Sequence, residues 1–166
     1  MDIEKKLFGI GLPRTGATSL AEALRILNYK DQNYCFLTNT NTSDKTENSR
    51  LFQIDNSYFK VYQQLFSANN NSKFILTTRN NSSWKKSMSR SVYDRNLLPH
   101  VSKYRKDVES FFNKNNAKKQ LLIIDLFELS DEEKWKTLCN FLEIKNTPVR
   151  LFPHINIRLP IGYYGQ

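Results

Sequence analysis

One stretch limits what this chain can fold into: Lys6-Leu7-Phe8-Gly9-Ile10-Gly11-Leu12-Pro13-Arg14-Thr15-Gly16-Ala17-Thr18-Ser19-Leu20. A short apolar run breaks at glycines and a proline. It resumes over Ala17–Leu27 with apolar residues at helical spacing. Strand, glycine loop and helix N-terminus together form an arrangement that binds a phosphate group. Glycine lets the backbone approach closely, and the unpaired N–H groups and dipole of the first helical turn favour an anion.

The loop departs from the nucleotide-binding pattern G-x-x-x-x-G-K-[ST] at its lysine, which reaches the β- and γ-phosphates. Aligning Gly11 and Gly16 puts Ala17 in the lysine position, and the cation sits inside the loop as Arg14. Such a loop still holds a phosphate but lacks the usual tool for a triphosphate. A tight strand–helix connection without a ligand is the alternative. The phosphate reading needs a strand before the loop and a helix after it, and the pattern supplies both.

The rest of the chain alternates in the same way. Tyr29–Leu37 reads as a turn and a short second strand, and Thr38–Ser49, polar throughout, as a surface loop. Leu51–Ser57 leads into a helix over Tyr58–Phe66, with Asn56 or Ser57 as its cap. Lys73–Arg79 is a buried strand. Asn80–Ser83 turns and caps a helix holding Trp84, Ser87, Met88 and Ser91. Pro99 precedes an amphipathic helix over His100–Asn113, built on Tyr104, Val108, Phe111 and Phe112. Gln120–Leu126 is the last strand, and Ser130 with Glu133 forms a capping box. The helix that follows carries Trp135, Leu138, Cys139 and Leu142 on one face, and the proline-punctuated remainder is irregular.

This alternation predicts an α/β fold: a mainly parallel sheet covered by helices on both faces, as one domain over 1–166. Ligands in such sheets bind beyond the carboxyl ends of the strands. The Gly11–Ser19 loop, Arg79 and Asp125 therefore share one edge. Among residues there, Arg79 and Ser87 lie at a spacing that lets a strand-end guanidinium and a helix hydroxyl grip one phosphate; the alternative makes them a surface cation and a helix-face hydroxyl.

Hydrophobic content of 39% supports a packed core, and no apolar run approaches the roughly 18 residues of a membrane span. The N-terminus opens almost directly into the first strand, so a leader is not expected and a cytoplasmic location is. Cys35 and Cys139 match no metal spacing and read as buried reduced thiols; no metal is expected. The formal net charge of +9 favours an anionic partner, or is simply solvated surface.

Leu12–Leu20 resembles the 5′-phosphosulfate loop of sulfotransferases, which use 3′-phosphoadenosine 5′-phosphosulfate (PAPS) and release the bisphosphate PAP. Arg14 takes the family's basic position, and Ala17 replaces the first of its paired threonines. Phe74–Ser87 is similar to the family's Arg-x7-Ser element on the 3′-phosphate, and Ile54-Asp55-Asn56 to its acidic segment before a helix. Asp125, Trp135–Leu142 and Phe152–Asn156 resemble the closing part of the small single-domain members.

The resemblance implies a three-layer α/β/α fold of the P-loop nucleotide-hydrolase kind and transfer of a sulfuryl group from PAPS to a hydroxyl or amine acceptor. It implies Arg14, Thr15, Gly16, Ala17, Thr18, Ser19, Arg79 and Ser87 as cofactor-binding residues, with Arg14 and the N–H groups of Thr15–Thr18 stabilising the leaving phosphate. Asp55 matches the acidic residue facing the loop and is the first candidate base. His100, an imidazole titrating near neutrality, is the second. Asp55 as a turn carboxylate and His100 and His154 as packing residues are the alternatives. Two departures stand out: the helical region after Ser87 is short, and the large enzymes' C-terminal Arg-Lys-Gly loop is missing, leaving Arg150, Arg158 or His154 as stand-ins. The acceptor would be a small molecule or saccharide.

Rival readings use the same loop. One is a non-catalytic nucleotide- or partner-binding protein of this fold. Another is a nucleotide kinase, against which Ala17 speaks. A basic nucleic-acid-binding module is the third, though no recognition motif supports it.

Overall fold

The computed structural model describes residues 6–32 and 50–155. Among them, five strands form one sheet: β1 (Lys6–Gly9), β2 (Lys30–Asp31), β3 (Leu51–Ile54), β4 (Lys73–Thr78) and β5 (Leu121–Asp125). Their order is β2-β3-β1-β4-β5, and every neighbouring pair is parallel. The helices are α1 (Ala17–Ile26), α2 (Tyr62–Ala68), α3 (Asn81–Met88), α4 (Val101–Lys114) and α5 (Asp131–Leu142).

Strand alternation sends successive side chains to opposite faces. Leu7, Ile75 and Ile124 join α1, α5 and Phe152 in one core. Phe8, Phe74 and Leu76 join α2, α3 and α4 in the other. The result is the three-layer α/β/α arrangement with a parallel sheet that the alternating pattern predicts. The second core is dominated by rings; Phe66, Phe74, Phe111 and Phe112 contact one another at centroid distances of 5.2–6.1 Å.

Several local expectations change. Leu51–Ile54, read as a lead-in, is a sheet strand paired on both sides. The single helix expected over Tyr58–Phe66 is a 3₁₀ turn, Tyr58–Lys60, followed by α2, with Val61 non-helical at φ −130° between them. Neither Asn56 nor Ser57 caps it through a side chain; the Asp55 carboxylate instead accepts from the Ser57 N–H at 2.7 Å and from its hydroxyl. Ser91 lies beyond the end of α3, in the turn that follows, because the helix stops at Met88.

The α5 capping box forms as expected: Ser130 accepts from the Glu133 N–H at 3.3 Å, and Glu133 accepts from the Ser130 N–H at 2.8 Å. Trp135, Leu138, Cys139 and Leu142 are all buried. The expected loop Thr38–Ser49, most of Tyr29–Leu37 with Cys35, and Arg158 lie outside the described residues.

Between the end of α5 and Ile155 the described chain has no regular element but is tied down. Phe152 packs on Trp135 at 4.7 Å between ring centroids, and the Trp135 indole donates to the Arg150 carbonyl at 2.8 Å. The Ile155 N–H then donates to the Ser19 hydroxyl at 3.0 Å. This segment thus crosses to the first turn of α1. Among the described residues, no helix is long and apolar enough to cross a membrane, and no cluster of three His, Cys, Asp or Glu side chains is arranged to hold a metal.

Candidate active site

The connection after β1 passes to α1 on one face of the sheet, and the connection after β3 passes to α2 on the other. Adjacent strands whose connections diverge leave a crevice at their carboxyl ends. Two sites meet there, a loop and a cavity.

The loop between β1 and α1 is held from every side. Its path needs glycine twice. A Cβ on Gly11 would lie 2.0 Å from Thr77 Oγ1, and Gly16 has a φ of 101° with Leu126 close beneath it. Thr15 is wholly buried and donates its hydroxyl proton to the Leu12 carbonyl at 2.7 Å, so Thr77 donates to Thr15 at 2.7 Å. The indole of Trp84 donates to the Pro13 carbonyl at 2.9 Å, and the Tyr104 hydroxyl to the Ile10 carbonyl at 2.7 Å. Burial pushes the Tyr104 phenol far above its ordinary value, with Tyr62 adding to the rise, so it stays a donor.

Gly16 occupies the N-cap position of α1, and no side chain caps the helix or places an acid in its first turn. Thr18 is exposed there. With no side-chain cap on the first-turn N–H groups, the positive end of the helix dipole there favours an anion.

Two guanidiniums border this turn. Arg14, at φ 67°, is one of four non-glycine residues with positive φ among those described, and its Nε donates to Ser87 Oγ at 3.0 Å. Arg79 leaves the end of β4, donating from Nε to Ser83 Oγ at 2.8 Å and from Nη1 to the Arg14 carbonyl at 3.3 Å. Its guanidinium stacks 3.8 Å from the ring centroid of Phe127. Burial lowers the Arg79 pKa, the nearby Arg14 lowers it further, and Asp125 partly opposes both. The spacing-based expectation has Arg79 and Ser87 grip one phosphate between them. Among the direct bonds, Ser87 accepts from Arg14, and Ser83, one turn earlier on α3, accepts from Arg79. Asn80 sets up this geometry by capping α3 through its side chain, which accepts from the Ser82 and Ser83 N–H groups.

Beside the loop lies a cavity of about 430 Å³, with Pro13 on the loop side. Asp55 and Phe59 line it from the β3–α2 connection, and Tyr93, Asp94 and Leu97 from the chain after α3. Asn56 Nδ2 donates to the Tyr93 hydroxyl at 2.6 Å, joining the two walls. Asp94 accepts from the Asn96 N–H at 2.9 Å.

Thus Arg14, Gly16, Ala17, Thr18, Arg79 and Ser87 gather about one helix turn, whereas the hydroxyls of Thr15 and Ser19 are engaged within the protein. Asp55 lines the cavity. His100 does not; it sits at the N-cap of α4 with Nδ1 2.9 Å from Ser102 Oγ, its ring edge-on to Trp84. Arg150 and His154 are exposed on the C-terminal crossing segment. Sequence reasoning passed over Thr77, Ser83, Trp84, Phe127 and Asp94. Trp84 alone carried a usable signal, since a buried indole N–H demands an acceptor.

A sulfotransferase domain family model matches residues 6–53 and 39–115, together spanning most of the 166-residue chain. Among curated proteins, none matches the sequence.

Proposed function

Because the chain belongs to the sulfotransferase domain family, we propose that it moves a sulfuryl group from PAPS to a hydroxyl or amine acceptor, without a metal. The observation that carries this reading is the convergence of Arg14 and Arg79 beside the uncapped first turn of α1. Two cations in mutual repulsion, one of them partly buried, are costly unless an anion lies between them. The Arg79 pKa is lowered first by burial and then by Arg14, with Asp125 opposing both. A donor with phosphate groups fits such a site, and Ala17 in the Walker lysine position disfavours the kinase alternative.

In this reading Arg79, with Ser83 and Ser87 on α3, holds the 3′-phosphate. Arg14 and the N–H groups of Thr15–Thr18 hold the phosphate that bears the sulfuryl group. PAPS supplies an electrophilic sulfur on a phosphate leaving group. Asp55 takes the proton of the acceptor hydroxyl as its oxygen bonds to sulfur, and the charge that builds on the leaving phosphate falls to Arg14 and the loop amides. The protein's contribution is alignment and charge stabilisation, as in phosphoryl transfer.

A non-catalytic relative of the same fold is the second reading, favoured by the engagement of the Asp55 carboxylate with Ser57 as in an ordinary turn. Calorimetry with PAP against ADP tests the donor site. We expect preference for PAP, lost in Arg79→Ala; equal binding or none would overturn the donor assignment. Product formation with a panel of hydroxyl acceptors then separates enzyme from binding protein.

A further inference from the structure

The cavity beside the loop has a composition at odds with the rest of the surface. The chain carries a net charge of +9, yet the charged residues lining this cavity are Asp55, Asp94 and Lys60, a balance of minus one. Its other walls include Phe59, Tyr93 and Leu97. Tyr93 and Leu97 are exposed, Leu97 by 76%, and with Phe59 they give the mouth an apolar and aromatic surface. The Asn56–Tyr93 hydrogen bond ties the two walls together, so the space exists without a ligand to prop it open.

We propose that this cavity takes an acceptor with an aromatic or apolar body and a positively charged amine, with Asp94 as the residue that selects the charge. Aromatic walls and carboxylates together recognise such a cation, since ring faces and acid groups both attract it. An anionic acceptor meets two carboxylates against the single Lys60 ammonium at the same mouth and is disfavoured. The charge selection separates the two halves of the crevice: the loop side, with Arg14 and Arg79, collects anions, and the cavity side admits their opposite. The inference rests on the sulfotransferase reading only in calling the ligand an acceptor.

The test needs no turnover. Binding of three phenols with the same ring is measured by calorimetry on the full chain: tyramine (cationic), p-ethylphenol (neutral) and p-hydroxyphenylpropionate (anionic). Tyramine is expected to bind most tightly and the propionate least. Asp94→Asn should weaken tyramine about fivefold while leaving p-ethylphenol unchanged, as befits one exposed charge contact. Tyramine's advantage should also shrink between about 0.05 M and about 0.5 M salt, which a purely structural role for Asp94 would not produce. Propionate binding as tightly as tyramine, ratios unaltered by Asp94→Asn, or no phenol binding at all would overturn the inference. PAP titrated into the same samples keeps the two readings apart: PAP binding without charge selection sinks only the cavity inference, and charge selection without PAP binding sinks only the donor assignment.

Discussion

The loop after β1 and the cavity mouth beside it are built by opposite means. In the loop, the carbonyls of Ile10, Leu12, Pro13 and Arg14 each accept a hydrogen bond from a side chain on another part of the chain or within the loop itself. The donors Tyr104, Thr15 and Trp84 are buried, so each bond is shielded from water. The mouth is made of turns, with a 3₁₀ piece on either side, Tyr58–Lys60 and Arg95–Leu97, and its cross-wall bond joins exposed partners. A rigid grip sits beside a surface that can change without disturbing the fold. Such a division suits the proposed reading, in which the donor site is fixed and the acceptor site is free to vary.

Four substitutions sharpen or break that comparison. Arg14→Gly should have the largest effect. Transfer should fall by about 10²–10³-fold, as for loss of one charge-stabilising donor, while thermal melting stays level or rises, because glycine relieves the φ of 67° at that position. A large drop in melting temperature would show that Arg14 supports the fold rather than the chemistry. Gly11→Ala comes next. Its Cβ would meet Thr77 Oγ1 at 2.0 Å and Thr15 Oγ1 at 2.8 Å, so denaturant titration should show a loss of about 3 kcal/mol, together with loss of PAP binding.

Trp84→Phe keeps most of the ring and removes the indole donor, leaving the Pro13 carbonyl buried without it. About 2 kcal/mol of stability should go, and a change below about 0.5 kcal/mol would mean that the loop is not held as rigidly as its bonding indicates. Tyr93→Phe should do least. Its hydroxyl meets Asn56 at the exposed rim, so stability should shift by less than about 0.5 kcal/mol and PAP affinity should not move. A loss matching that of Trp84→Phe would erase the distinction between grip and mouth.

Much of the architecture was legible because it rests on periodicity. Trp135, Leu138, Cys139 and Leu142 mark a helix face that nothing else in the chain contradicts, and the apolar run before Arg79 is a buried parallel strand. The strand Leu51–Ile54 was not legible: four residues with Gln53 among them carry too little pattern, and only pairing with β1 and β2 makes them a strand. In the site, proximity was readable but partnership was not. Spacing brings Ser83 and Ser87 to one face of α3, whereas which guanidinium each receives depends on where the loop carries Arg14, a property of the tertiary fold. For the same reason Trp84 and Tyr104 read as core residues, and only the destination of their polar tips reveals them as anchors of the loop.

The bond from the Ile155 N–H to the Ser19 hydroxyl joins residues 136 positions apart. A chain leaving the ribosome makes its first strand and helix early, but it cannot close this contact until almost all of its described length has emerged. The first turn of α1, where we propose that an anion binds, thus receives a partner from a segment made after every strand and helix described here. The order of synthesis therefore completes this turn only after every described strand and helix has been made, and a nascent chain interrupted before Ile155 carries the loop's glycines and arginine without the strap that meets the helix behind them.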